Sequence, residues 1–404
     1  MASSQALRGG HRMRLLQGSA EYFAALVAAM DAAKVDIALE TYIFDCTGSA
    51  AAIAEALMRA ARRGVQVRLV VDGVGTGPLP EPWRTRLAAA GVQCRVYSPP
   101  GPLGLLLPRR WRRLHRKLCV VDGCVLFCGG INVLDDFHDP NHGALAAPRL
   151  DFAVEVAAGP AVAEACDAMD QLWWRMQAAR LAGRRQMRRA LAALREAREA
   201  TAALRAALPR EDQGVHAALV LRDNVRNRRR IERVYLRAIG RARAEVTIAN
   251  AYFIPGGRLL RALVAAARRG VRVRLLLQGR YEYFLQYHAA RPAYGALLAA
   301  GVEIHEYAPS FLHAKVAVVD GRWATVGSSN LDPLSLLLAR EANVVVRDAG
   351  FAADLRARLQ HAIEAEGVRM EPAALAGRPW RQRARDRIAW ACVRLALFVT
   401  GNRY

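Results

Sequence analysis

Two short stretches of this 404-residue chain place an imidazole and an ammonium two residues apart. They are His115 and Lys117 in LHRKLCVVDG, and His313 and Lys315 in LHAKVAVVDG. On an extended strand such residues project from one face, which predicts that Leu114, Arg116 and Leu118 take the other. Each triplet runs into a hairpin signal, Asp122–Gly123 or Asp320–Gly321. A second strand then closes on Gly129–Gly130–Ile131–Asn132 or Gly327–Ser328–Ser329–Asn330, and from histidine to asparagine is 17 residues in both copies. A lone strand histidine is more often structural than catalytic; two matching constellations reverse that expectation.

Brought together, two imidazoles and two ammoniums suit a two-step displacement at phosphorus. One neutral imidazole attacks a phosphodiester while the other, protonated, gives its proton to the leaving alcohol. The second imidazole then deprotonates the incoming alcohol or water, and the phosphohistidine is released. The ammoniums offset the anionic charge of the transition state, as a metal would elsewhere. This chemistry requires no metal and no cofactor, and none is expected. Of 59 lysines and arginines only Lys34, Lys117 and Lys315 are lysine, so a compact ammonium is wanted at the two triplets where the rest of the chain prefers a guanidinium.

The elements that must hold these residues are written twice. AARRGVQVRLVVDG (Ala60–Gly73) returns as AARRGVRVRLLLQG (Ala266–Gly279), and AGVQCRVY (Ala90–Tyr97) as AGVEIHEY (Ala300–Tyr307), in the same order as the motifs. The patterns predict helices over Tyr22–Ala33 and Ala50–Arg63 with strands over Val35–Phe44 and Val65–Val71. The second copy repeats them with Val246–Phe253, Arg258–Arg269 and Val271–Leu277. Strands alternating with helices give an α/β chain with a mixed sheet covered on both faces. The expected division is 1–165, a helical Arg-rich connector 166–214, 215–365, and a basic amphipathic tail 366–404.

Between Tyr97 and His115 the first copy carries 12 residues more than the second, including PPGPLGLLLPRRWRR. A soluble loop rarely exposes Leu103, Leu105, Leu106 and Leu107 together, so this stretch with Trp111 is read as a lip that dips into a membrane. Ile388–Thr400, with Trp390 and Phe398, is flanked by arginines, short, and broken by Arg394; it suits a helix lying in the membrane interface or one docked on the core. No apolar run reaches the ~18 residues of a spanning helix. The net charge of +23 favours polyanionic partners, either nucleic acid or anionic lipid. Seven irregularly spaced cysteines without a secretory signal suit a reduced cytoplasmic setting, and Cys119, Cys124 and Cys128 read as core fillers.

Both motifs, HRKLCVVDGCVLFCGGIN and HAKVAVVDGRWATVGSSN, match H-x-K-x4-D-x6-G-[GS]-x-N, and the chain thereby resembles the phospholipase D superfamily. The resemblance implies two tandem phospholipase D-like α/β/α sandwich domains related by a pseudo-twofold, with one shared active site. It implies His115 as nucleophile and His313 as acid–base partner. Lys117 and Lys315, with Asn132, Asn330, Gly129 and Gly327, would hold the phosphate. Asp122 and Asp320 belong to the catalytic signature, although their place at turns suggests an architectural part. Downstream carboxylates that orient the histidines correspond to Asp151 and Glu341. Within the superfamily, Glu40 in ALETYIF, NAYFIP, Ala299–Tyr307 and SSNLDPLS look most like bacterial cardiolipin synthases of the B type.

That similarity implies a phosphatidyltransferase using phosphatidylglycerol or phosphatidylethanolamine, peripheral on the cytoplasmic face of the inner membrane. Ala339–Arg340 stands before Glu341 where many relatives have asparagine. The alternatives are a hydrolytic phospholipase or a nuclease of the superfamily, and a non-enzymatic membrane binder. No aromatic-plus-basic stacking platform lies near the motifs, which disfavours nucleic acid; two intact motifs disfavour the non-enzyme.

Overall fold

A computed structural model describes residues 7–101, 111–178, 199, 214–223, 227, 229–281, 284–332 and 339–399. The first half opens with β1 (Arg8–Gln17), α1 (Gly18–Ala32), β2 (Asp36–Thr41), α2 (Ala51–Arg62), β3 (Gln66–Asp72), α3 (Trp83–Ala89) and β4 (Gln93–Tyr97). A two-residue β5 (Arg113–Leu114) leads to the motif hairpin of β6 (Lys117–Val121) and β7 (Val125–Gly129). A small ribbon follows, β8 (His138–Asp139) and β9 (Gly143–Ala144), and then β10 (Phe152–Ala157) and α4 (Pro160–Ala178).

The second half repeats the plan. It runs β11 (Val215–Arg222), α5 (Arg230–Arg241), β12 (Glu245–Asn250), α6 (Gly257–Arg268), β13 (Arg272–Gln278), α7 (Phe284–Ala299) and β14 (Glu303–Tyr307). Its motif hairpin is β15 (Lys315–Val319) and β16 (Trp323–Gly327), followed by β17 (Ala339–Arg347) and α8 (Ala349–Glu366). The chain then adds β18 (Gly367–Arg369), α9 (Pro372–Ala376) and α10 (Trp380–Val399).

The repeated ARRGV has a local cause. Helix α2 ends where Gly64 takes a φ of 90°, and Val65 N–H then reaches back to Ala60 O at 3.2 Å. Gly270 (φ 84°) and Val271 do the same at the end of α6, with Val271 N–H 3.2 Å from Ala266 O. A left-handed residue after the last turn satisfies end carbonyls and is cheapest for glycine. The chain is thereby turned straight into β3 and β13, which run parallel to β2 and β12.

One sheet crosses the whole molecule in the order β18-β14-β13-β12-β15-β16-β17-β11-β1-β10-β7-β6-β2-β3-β4. The order reads alike outward from the β11/β1 seam, which is the pseudo-twofold expected of a duplicated chain. Alternation along β6 sends Leu118 and Val120 into a core shared by both halves, and Cys119 and Val121 into the first half's own outer core. On β15, Val316 and Val318 face the shared core, while Ala317 and Val319 face the outer core of the second half. Residues of α4 and α8 complete the shared layer.

Several expectations are adjusted. Strand β1 lies at the centre of the sheet, although RGGHRMRLLQ has no clear strand signature. Helix α4 runs across residue 165, burying Met169, Leu172 and Trp173; most of the expected connector lies outside the described residues. The tail is docked: β18 adds an edge strand to β14, and α10 packs along α7 with Ala389 and Val393 buried. Its other side leaves Trp380, Ile388, Trp390 and Leu395 exposed, and Arg394 stands 4.7 Å over the Trp390 ring. Leu105, Leu106 and the Phe398 side chain lie outside the described residues, and Trp111 is half-buried.

Candidate active site

Each motif histidine enters the site beside a segment of the opposite half. β5 pairs in parallel with the start of β17, Arg113 with Ala339 and Leu114 with Arg340, and His115 N–H donates to Arg340 O at 3.0 Å. The next residue on that strand is Glu341. Its carboxylate accepts from His115 Nδ1 at 3.0 and 3.2 Å. In the other direction Leu150 bridges in parallel to Leu312, and His313 N–H donates to Leu150 O at 2.9 Å. Asp151 comes next and takes His313 Nδ1 at 2.6 Å. The two expected orienting carboxylates therefore each serve the histidine of the other half.

Both histidines lie two residues before the motif strands, which begin at Lys117 and Lys315, and not on them as the period-two reading had it. Their side chains stay partly accessible, 14% for His115 and 16% for His313, while Asp151 and Glu341 are buried. Lys117 Nζ donates to His115 O at 2.7 Å, and Lys315 Nζ donates to His313 O. Each lysine starts a central strand and is buried, and the charge of either is felt by the histidine of the other half. The four residues share one electrostatic site.

That setting controls the protons. Burial pushes the Glu341 carboxyl up, but His115, Lys117 and Arg222 hold it below the ordinary glutamate range. An ionised Glu341 fixes the proton of His115 on Nδ1 and leaves Nε2 with a lone pair. Burial also lowers His115, with Lys117 and Lys315 adding to it against the pull of Glu341. For the second pair, burial raises Asp151 to about 7 and, with Lys315, Lys117 and Arg149, sends His313 well below its usual value. The pair favours sharing a proton over standing as separated charges. Lys117 falls from 10.5 to about 7, chiefly by burial and by Lys315.

The remaining expected residues divide. Asn132 and Asn330 follow the motif hairpins and are buried; Asn132 Oδ1 accepts from Ile43 N–H at 3.1 Å. Gly129 and Gly327 sit where packing leaves no room for a side chain: a Cβ on Gly129 would come within 2.5 Å of the Ala153 backbone, and one on Gly327 would strike Asn343. Gly130 makes room in the same way for the Asp151 carboxylate. Asp122 and Asp320 lie at the hairpin turns, at the far end of the strand from each motif lysine. Five residues of strand put Asp122 roughly 16 Å from Lys117, where at φ 50° it accepts from Lys34, Val35 and Asp36 N–H between 2.8 and 3.0 Å. Asp320, also at φ 50°, caps Arg243, Ala244 and Glu245 alike.

Further side chains complete the site, and of them only Ser328, at the [GS] position of the motif, had a place in the signature. Ser328 Oγ donates to Glu341, and the Tyr42 ring packs edge-on against His115 at 5.0 Å with Lys117 Nζ 5.5 Å from its centre. Asp72 and Gln278 bind the backbone just before each histidine, Asp72 through Leu114 N–H at 2.7 Å and Gln278 through Leu312 N–H at 2.9 Å. Their matching places in the repeat are the only sequence clue to that shared task.

Comparison with known proteins agrees with this geometry. A family model described as "Cardiolipin synthase, PLD-like domain" matches residues 26–147 and again 235–363. Cardiolipin synthase B of Escherichia coli (strain K12) is 38% identical over 375 residues, 92% of this chain and 85% of that protein. Cardiolipin synthase A of Erwinia tasmaniensis is 30% identical over 384 residues, 94% of this chain and 74% of that protein. The phosphatidylserine synthase of Haemophilus influenzae Rd KW20 covers 95% of this chain and 94% of its own, with a TM-score of 0.66 and 14% identity, a likeness of fold alone. Two family matches, each ending beyond one of the crossed His–Lys constellations, place the chain in the phospholipase D superfamily, as an enzyme of the PLD-like family of cardiolipin synthases.

Proposed function

We propose that the protein is a phosphatidyltransferase that moves a phosphatidyl group from one phospholipid to an alcohol on another, making cardiolipin and releasing glycerol when both are phosphatidylglycerol. The observation that carries this is the crossed pairing, Glu341 on His115 and Asp151 on His313, beside two buried lysines. His115 Nε2 attacks phosphorus, the bond from phosphorus to the glycerol oxygen breaks, and His313 supplies that oxygen's proton. The acceptor hydroxyl then gives its proton to His313 as its oxygen displaces His115 from phosphorus. Lys117, Lys315, Asn132 and Asn330 bind the phosphate oxygens while charge builds on them.

The chain would meet its lipid as a peripheral protein on the cytoplasmic face of the inner membrane. Its charge of +23 and the exposed Trp390–Arg394 pair support that reading, and among the described residues no helix is long and apolar enough to cross a bilayer. Mixing with labelled phosphatidylglycerol vesicles, followed by rapid quenching and an alkali-held digest, should leave label on the peptide bearing His115. Label only on the His313 peptide reverses the two roles, and label released solely as phosphatidic acid makes the protein a hydrolase. Turnover of single-stranded DNA without lipid turnover would make it a nuclease.

A further inference from the structure

The first copy of the repeat carries an insertion beside the second motif. Asn132 to Asp151 spans 19 residues where Asn330 to Glu341 spans 11, and the difference holds the ribbon of β8 and β9. At its turn the buried Asp139 gathers Asn141 N–H at 2.9 Å, His142 N–H at 3.1 Å, His142 Nδ1 at 2.9 Å and Arg149 Nη2 at 3.0 Å. The His142 ring lies 5.0 Å from that of Phe311 in the other half, and 34% of its side chain stays exposed. Phe311 leads directly to His313. Leu150 N–H donates to Phe311 O at 3.0 Å and His313 N–H to Leu150 O at 2.9 Å, around the bridge of Leu150 with Leu312. Both leucines face the shared core. Alternation therefore sends Arg149 and Asp151 from one segment, and Phe311 and His313 from the other, to the opposite face. Two carboxylate–imidazole pairs share that face: Asp151 on His313, and Asp139 on His142 beside Phe311, which precedes His313 by two extended residues or about 6–7 Å.

Burial works to raise the Asp139 carboxyl, yet His142, Asn141 N–H and Arg149 hold it below the ordinary aspartate range. Its charge keeps a proton on His142 Nδ1, so Nε2 is the atom left for a ligand. A neutral ring offers a lone pair there and a protonated ring an N–H. A hydroxyl, donor and acceptor at once, answers either form. Resting on the reading of His313 as the acid–base group for the leaving and incoming alcohols, we propose that His142 is a specificity-determining residue. Its Nε2 hydrogen-bonds to a further hydroxyl of the alcohol whose reacting oxygen meets His313, so the site selects a polyol headgroup such as glycerol over a monohydric one. Because His313 meets both the departing and the arriving alcohol, one imidazole outside the signature sets both choices.

Calorimetry with glycerol 1-phosphate and propyl phosphate reads this without any turnover, since the two share a phosphate and a three-carbon chain and differ in their hydroxyls. The wild type should bind glycerol 1-phosphate more tightly by roughly five- to tenfold, the worth of one hydrogen bond. His142→Asn keeps a donor for Asp139 but has nothing where Nε2 was, and should lose that preference by weakening glycerol 1-phosphate alone. His142→Gln sets an amide near the Nε2 position and should keep much of it. Equal wild-type affinities overturn the proposal. So does a His142→Asn protein that retains the wild-type ratio, or one that weakens both ligands alike, which marks a structural part or a contact to phosphate. A wild type that binds neither ligand overturns this proposal together with the reading of the site. Binding as expected by a protein that transfers no lipid supports the subsite and counts against the transferase reading alone. Should His142→Asn fail to fold, His142→Phe, which keeps a ring on Phe311, takes its place with the same expected loss.

Discussion

Lys117 is where the physics of the site is most exposed to measurement. Its ammonium is buried and faces Lys315, so it loses its proton at about 7 where a free lysine would hold it to 10.5. The sign follows directly: as pH rises through that value the protein without substrate loses a cation, so kcat/KM for a soluble phosphodiester should fall above neutrality. A bound phosphodiester anion restores the charge, so the alkaline limb of kcat should lie at higher pH than that of kcat/KM. Coincident limbs would show that Lys117 is not the titrating group. On the acid side the lowered His115 keeps its lone pair below the usual histidine range. Lys117→Arg retains charge but misplaces a wider group, and turnover should drop ~10²-fold or more; a near-normal rate would contradict the special use of lysine. The histidines, lysines and asparagines were legible because their spacing recurs, and Asp151 and Glu341 because the family resemblance pointed at them. Asp72, Gln278 and Tyr42 were not, since a side chain that serves a backbone N–H or a ring edge leaves no pattern of its own.

The helices α2 and α6 and the strands β3 and β13 were read to within a residue, whereas α1 starts before Tyr22 and β2 and β12 end before Phe44 and Phe253; β1, whose burial is set by partners, was not read. α2 and α6 carry an amphipathic stripe and a glycine stop. β1 is Arg-rich and would pass for a surface segment, yet pairing with β10 and β11 places it centrally. The tail was ambiguous from its pattern because α10 does two things at once. Val393 and Ala389 dock on α7, and Asp386 is held by His288 and Arg378, each at 2.6 Å, while Trp390 and Leu395 face outward. Substitutions should separate these. Trp390→Ser with Leu395→Ser should cut the salt-resistant part of binding to phosphatidylglycerol vesicles and leave the melting temperature alone, because ~25 cal/mol per Å² of apolar contact is lost only at the membrane. Val393→Asp should lower the melting temperature by burying a charge. A tail whose outward tryptophan and leucine can be exchanged without loss of vesicle binding is a docking element only.

At the scale of the whole molecule, the two halves are continuous because β1 pairs with β11 at the middle of their one sheet and the halves share a core. The basic surface should make vesicle association fall with ionic strength, about 1 kcal/mol per arginine near an anionic surface being screened within a Debye length. Association insensitive to salt would leave the net charge without a part in membrane contact. The crossed carboxylates give a sharper expectation: a chain ending at residue 178 keeps His115 and Lys117 but lacks Glu341, and should take no label from phosphatidylglycerol, whatever its folded state. Labelling of that fragment at the full-length rate would mean that Glu341 does not prepare the nucleophile.

The same crossing sets a schedule for synthesis. A ribosome makes His115 more than two hundred residues before Glu341, and until that glutamate emerges no carboxylate fixes the imidazole's tautomer. Under the proposed roles, His115 would therefore be unready as a nucleophile throughout translation of the first half, however well that half has folded. Reactivity would arrive with the late docking of β17 against the stretch before His115, so that under the proposed function completion of the fold and arming of the enzyme are one event, and a nascent chain held beside a membrane would not attack the lipid around it.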